Sequence, residues 1–117
     1  MSLSLQYIRK IALENLISTI NKTMKTKLPP VEDVFGSRVR VKILKTLAQC
    51  EELTISLLIK MTKTNHIAAK KHLDYLKQVG LVQEKKFGRI AIFRYRIEDM
   101  KARSFAKFIQ IWESPIE

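Results

Sequence analysis

Thr62-Lys63-Thr64-Asn65-His66-Ile67-Ala68-Ala69-Lys70-Lys71-His72-Leu73-Asp74-Tyr75-Leu76-Lys77-Gln78-Val79-Gly80 is a polar break followed by a helix with both of its ends marked. Asn65 is a strong N-cap residue, because its side-chain oxygen takes up a free N–H group of the first turn. Gly80 supplies the left-handed residue at which helices commonly stop. Between them Ala69, Leu73, Leu76 and Val79 recur at helical spacing and form an edge for burial. Upstream, Thr54 caps a shorter helix whose apolar residues are Ile55, Leu58, Ile59 and Met61, and Ser37 caps another that runs to about Gln49. In the helix after Ser37, Val39, Ile43, Leu44 and Leu47 face inward, and Arg38, Arg40, Lys42 and Lys45 mostly outward.

The second and third of these helices are separated by a turn of three or four residues, the helix-turn-helix arrangement. After Gly80 the period changes from helical to alternating. A two-residue turn at Phe87-Gly88 pairs Val82, Glu84 and Lys86 with Phe93, Ala91 and Arg89. Val82, Ala91, Phe93, Tyr95 and Ile97 then share one apolar face of a hairpin, and the basic run Lys85-Lys86-Phe87-Gly88-Arg89 forms its tip. The expected fold is mainly α with this small β-hairpin, flanked by two long helices. From Ser4 to about Lys25, Leu5, Ile8, Ala12, Leu16 and Ile20 make one apolar stripe and Leu13, Ile17 and Met24 a second; Pro29 and Pro30 end the segment. At the other end Glu98 and Asp99 suit a helix start, Phe105, Phe108, Ile109 and Trp112 line one side, and Ser114-Pro115 closes it.

This divides the chain into an N-terminal helix over 1–28, a linker over 29–36, the helical and hairpin unit over 37–97, and a C-terminal helix over 98–117. Apolar faces that one small domain cannot cover predict a homodimer, with Leu5, Ile8, Ala12, Leu16, Ile20, Phe105, Phe108, Ile109 and Trp112 at its interface.

Charge is distributed unequally over this plan. The 117 residues hold 22 lysines and arginines against 11 aspartates and glutamates, a formal +11 that points to a polyanionic partner. Residues 1–36 carry 5 basic and 3 acidic groups, residues 37–97 carry 14 and 4, and residues 98–117 carry 3 and 4. Nearly all of the excess therefore sits on the middle unit. One cysteine and two histidines exclude a disulfide scaffold or a cysteine zinc site within one chain, and leave Cys50 as a small buried hydrophobe. No uncharged run approaches the ~20 apolar residues of a membrane span, and the N-terminus lacks the order of a secretory signal, so a cytoplasmic protein is expected. No nucleophile stands at a spacing that suggests its base, and no glycine-rich phosphate cradle is present. The expectation is a non-enzyme with no cofactor and no metal.

Residues 33 to about 97 resemble the winged helix-turn-helix regulators of the ArsR-like and MarR-like kind, small archaeal members especially. The resemblance is carried by Asp33 to Leu44, by Asn65 to Leu76, by Gly80-Leu81-Val82 and by the hairpin Phe87 to Ile97. It implies a dimeric transcription regulator bound to double-stranded DNA, its third helix in the major groove and its wing on flanking DNA, close to the nucleoid. By this resemblance Asn65, His66, Ile67 and Ala68 face the bases, with Lys70 and Lys71 one turn later. Lys63 and Thr64 lie in the preceding turn, and Lys85, Lys86 and Arg89 in the wing. Ile67 and Ala68 stand where members of the family often carry serine or threonine, which shifts weight from base readout to shape and phosphate contacts. His72 belongs to the packing edge of the helix. An architectural protein of low sequence preference and a winged-helix module that docks onto protein are the alternatives, and no effector is implied.

Overall fold

The computed structural model describes residues 8–15 and 29–114. Residues 8–15 are helical. The elements that follow are α1 (Val31–Val34), α2 (Arg38–Cys50), β1 (Glu52–Thr54), α3 (Ile55–Thr62), α4 (His66–Gln78), β2 (Val82–Phe87), β3 (Ile90–Tyr95) and α5 (Met100–Trp112). Leu5, Leu16, Ile17, Ile20, Met24 and Pro115 lie outside the described residues.

Local hydrogen bonding sets most of these boundaries. Ser37 Oγ accepts from Arg40 N at 3.2 Å, Thr54 Oγ1 from Leu57 N at 3.3 Å, Asn65 Oδ1 from Ala68 N at 2.8 Å and Asp99 Oδ1 from Ala102 N at 3.1 Å. Each bond satisfies an amide that the helix start leaves without a carbonyl. At the end of α4, Leu81 N donates to Leu76 O at 3.0 Å and Gly80 N to Lys77 O at 3.1 Å, with Gly80 at φ 81°. This is a Schellman closure, and it turns the chain directly into β2.

The core lies where α2, α3 and α4 meet the sheet. Ile43, Leu44 and Leu47 of α2, Leu58 of α3, Leu73 and Leu76 of α4 and Phe93 of β3 are buried, with Ala102, Phe105 and Ile109 of α5 closing one side. The Tyr95 hydroxyl donates to Ala102 O and ties α5 to the sheet.

Four features differ from the sequence reading. The sheet has three strands in the order β1-β3-β2, because Glu52, Leu53 and Thr54 pair with Arg94, Phe93 and Ile92. A three-residue strand has no period to detect, and its partner is some 40 residues away. The hairpin register is Val82↔Tyr95, Glu84↔Phe93 and Lys86↔Ala91, two residues from the expected one. Its turn is Gly88-Arg89, since the glycine, at φ 60°, takes the first turn position, where a positive φ is required. A shift of two preserves the faces, so Val82, Phe93 and Tyr95 are still buried together, but Ile97 lies beyond the strand and is exposed. The segment read as a linker contains the helical turn α1, started by Pro30 and held by Asp33 N donating to Pro30 O at 3.0 Å. Phe35 then packs on Phe105, with ring centroids 5.3 Å apart. Cys50 is exposed rather than buried: it follows Leu47 on the same face but is the last residue of α2, beyond the buried stretch Ile43 to Leu47.

Candidate nucleic-acid interface

The period of α4 divides it into two opposed stripes. Ala69, Leu73 and Leu76 are fully buried, while Ile67, Lys70, Lys71, Asp74 and Gln78 are exposed along the other side. His66 is exposed beside this outer stripe, and Ile67 at its head is 83% exposed. Two neighbouring residues expected to face a ligand are engaged within the turn. Ala68 is half-buried and gives its N–H to the Asn65 cap, and Thr64 sets its hydroxyl 3.0 Å from that of Thr62. Lys63 is exposed and left-handed, at φ 55°. That conformation is costly for a residue with a Cβ, and here it aims the chain from α3 into α4.

Acidic side chains neutralise a specific subset of the basic ones. Arg94 holds Glu98 at 3.0 and 2.7 Å and also donates to Gln83, while Arg96 reaches Glu98 at 3.3 Å and the Gly80 carbonyl at 3.1 Å. The Arg94 hydrogen bond pulls the Glu98 carboxyl down to about 2. Lys77 lies 2.6 Å from Glu84 and lowers that carboxyl too; Lys85 lies 3.3 Å from Glu52, Lys45 2.8 Å from Glu113 and Lys70 3.7 Å from Asp74. Arg9, Lys10, Arg38, Lys42, Lys101, Arg103 and Lys107 are exposed and make no ion pair among the described residues, and the same holds for a further five, Lys60, Lys63, Lys71, Lys86 and Arg89. These five lie on α3, the following turn, the outer stripe of α4 and the wing. Lys60 is absent from the expected set; its only signal in the sequence is its place three residues before Lys63.

Arg40 departs from the outward position expected of it. Its guanidinium carbon lies 3.8 Å from the centroid of the Tyr75 ring, one nitrogen donates to Asp33 O at 2.6 Å, and Nε donates to His72 Nδ1 at 3.3 Å. It is a clamp joining α1, α2 and α4. Burial lowers the His72 pKa from its ordinary 6.5, with Arg40 and then Lys71 adding to the shift. His72 is a packing residue, as its place on the helix suggested.

The flanking apolar residues separate into two groups. Phe105 and Ile109 are buried in the core of the same chain and are not free to meet another copy. Phe108 and Trp112 are 54% and 76% exposed and stack on each other with centroids 5.7 Å apart, with Ile111 exposed beside them. Ile8 and Ala12 are also exposed. An apolar hollow of about 700 Å³ runs between α1 and α5, lined in part by Val31, Phe35, Met100 and Phe108. Among the described residues no helix is long and apolar enough to cross a membrane.

No protein-family model and no curated protein matches the sequence. Solved structures do match the fold. Reduced HlyU from Vibrio cholerae aligns with a TM-score of 0.63 at 15% identity, over 94% of this chain and 99% of its own. The transcriptional repressor BigR from Xylella fastidiosa aligns with a TM-score of 0.63 at 14% identity, over 88% of this chain and 97% of its own. A homodimeric winged helix-turn-helix DNA-binding domain from Mycobacterium bovis aligns at 0.56 and 23% identity, over 90% and 84%. At these identities the likeness is one of fold: a winged helix-turn-helix with α3 and α4 as its paired helices and β2-β3 as its wing.

Proposed function

We propose that the protein is a homodimeric transcription regulator that places α4 in the major groove of double-stranded DNA and its wing on the flanking backbone. The observation that carries this reading is the run of exposed, unpaired cations along the helix-turn-helix and the wing, to which α2 and α5 add others. The fold leaves Lys60, Lys63, Lys71, Lys86 and Arg89 without acidic partners, and all lie on α3, the turn, the outer side of α4 or the wing. A phosphate ladder is the partner that matches such a spread of cations, while the exposed head of α4 is of a size to enter a major groove. His66, Asn65, Lys70 and Lys85 belong to the same interface; Thr64 and Ala68 support it by holding the turn and the helix start. Exposed Ile8, Phe108, Ile111 and Trp112 supply apolar surface for pairing two copies, which sets two α4 helices on successive turns of a duplex. The solved homodimer and the repressor named above are consistent with this reading.

Fluorescence anisotropy with duplexes selected from a random pool, run as a salt series and followed by footprinting, tests it. A dimer neutralising on the order of 6 to 10 phosphates loses about three to five decades of affinity between about 50 and 200 mM salt. A pseudo-palindromic footprint is the expected result, and absence of duplex binding at low salt refutes the proposal. The commitment of Thr64 and the Asn65 oxygen within the turn favours a second reading, an architectural protein with little base preference. A ratio of ~10³ or more between selected and random duplex separates the regulator from it.

A further inference from the structure

We infer that Ile67 is a specificity-determining residue, reading the C5-methyl group of a thymine in the major groove. The inference rests on the reading that α4 enters that groove, and adds to it the base group that is recognised. Ile67 has the highest exposure, 83%, of any large apolar side chain among the described residues, and it lies on the second residue of α4. The remainder of its stripe is Lys70, Lys71, Asp74 and Gln78, all polar. An isolated isoleucine there leaves most of its surface in solvent and loses side-chain freedom on the helix. Its stiffness suits recognition, because a β-branched side chain on a helix keeps largely to one rotamer and presents its methyl groups in a fixed place.

Apart from the exposed His66 and the unpaired Lys63 and Lys71, the polar groups around it are engaged within the protein. Asparagine recognises adenine with its amide oxygen and nitrogen together, but the Asn65 oxygen is 2.8 Å from Ala68 N, holding the helix start. Thr64 shares its hydroxyl with Thr62, and Lys70 is drawn toward Asp74. The first turn of α4 therefore offers an apolar surface flanked by the unneutralised Lys63 and Lys71. On the base edges of the major groove the complementary apolar group is the thymine methyl. The flanking cations, which make no ion pair among the described residues, favour nucleic acid over an apolar protein surface.

The test uses the best-bound duplex from the random pool and replaces each thymine in turn by deoxyuridine, which removes only the methyl group. Affinities are measured for the parent protein and for Ile67→Ala and Ile67→Ser, after circular dichroism melts show that both exposed-site variants fold as the parent does. One thymine position in each half-site should weaken parent binding about fourfold when its methyl is removed, the worth of one buried methyl group. Both variants should bind the thymine and deoxyuridine duplexes equally. Parent binding indifferent to every replacement, or a thymine preference that persists in both variants, overturns the inference while leaving DNA binding intact. Failure of the parent to bind any duplex overturns the underlying reading along with it.

Discussion

Removing the Lys71 charge should change the salt dependence of DNA binding, and removing the Arg94 charge should not. Both residues are cations of the same winged unit, so composition cannot separate them. Lys71 is exposed on the outer stripe of α4 with no ion pair among the described residues, whereas Arg94 is bound by both oxygens of Glu98 and by Gln83. Each phosphate neutralised contributes about 0.9 to the slope of log affinity against log salt, and a dimer presents each side chain twice. Lys71→Ala should therefore reduce the slope by about 1.8. Over the fourfold rise from about 50 to 200 mM salt, the ratio of parent to variant affinity should shrink by about tenfold. Arg94→Ala should keep the parental slope, because its charge is already compensated, and should instead lower stability by releasing Glu98 and Gln83. The assay is anisotropy titration of one duplex at five or more salt concentrations, with urea melts in parallel. An unchanged slope for Lys71→Ala, or an equal loss of slope for Arg94→Ala, refutes the assignment of the interface from charge compensation.

Three further outcomes follow from the packing. Asn65→Ala removes the oxygen that receives Ala68 N and should cost about 1 kcal/mol, read from the urea midpoint at unchanged slope; a loss below the error of the method refutes the capping role. Acidification should weaken the fold through His72, whose pKa is held below 6.5 by burial and then by Arg40 and Lys71. As the pH falls through 6.5 the unfolded chain takes up a proton that folded His72 resists, so stability is fully present above that value and declines below it. Urea midpoints from about pH 7.5 to 5 should fall for the parent and less for His72→Gln, and an equal fall in both proteins refutes this origin. The paired substitution Phe108→Lys with Trp112→Lys should convert a dimer to a folded monomer in light scattering, since both rings are exposed and stacked only on each other; Phe105→Ala should instead cost about 3–5 kcal/mol of stability. A dimer surviving the paired substitution refutes the interface.

The helix starts were legible because a cap is a bond between residues three apart. Ser37, Thr54 and Asn65 announce themselves without help from the rest of the chain, while Asp99, read only as an acid suited to a helix start, is in the structure a cap as well. The faces of the hairpin survived an error in register because strand faces repeat every two residues, and the buried edge of α4 followed from its period. The concentration of positive charge between residues 37 and 97 was likewise a matter of counting.

Compensation of that charge was not countable. Lys85 meets Glu52 across 33 residues and Lys45 meets Glu113 across 68, so which cations remain free depends on approaches that local sequence does not encode. The same holds for Arg40, a charged residue whose helix position suggested solvent, until Tyr75, His72 and the Asp33 carbonyl converged on it from two other elements. The aromatic residues of α5 separated into core and surface only once its angle against α2 and the sheet was set, and β1 exists only because β3 lies beside it. Short-range periodicity and capping thus dictated which elements form, and long-range packing dictated which side chains are left over to bind: the first is written in neighbouring residues, and the second in pairs that meet only after the chain has closed.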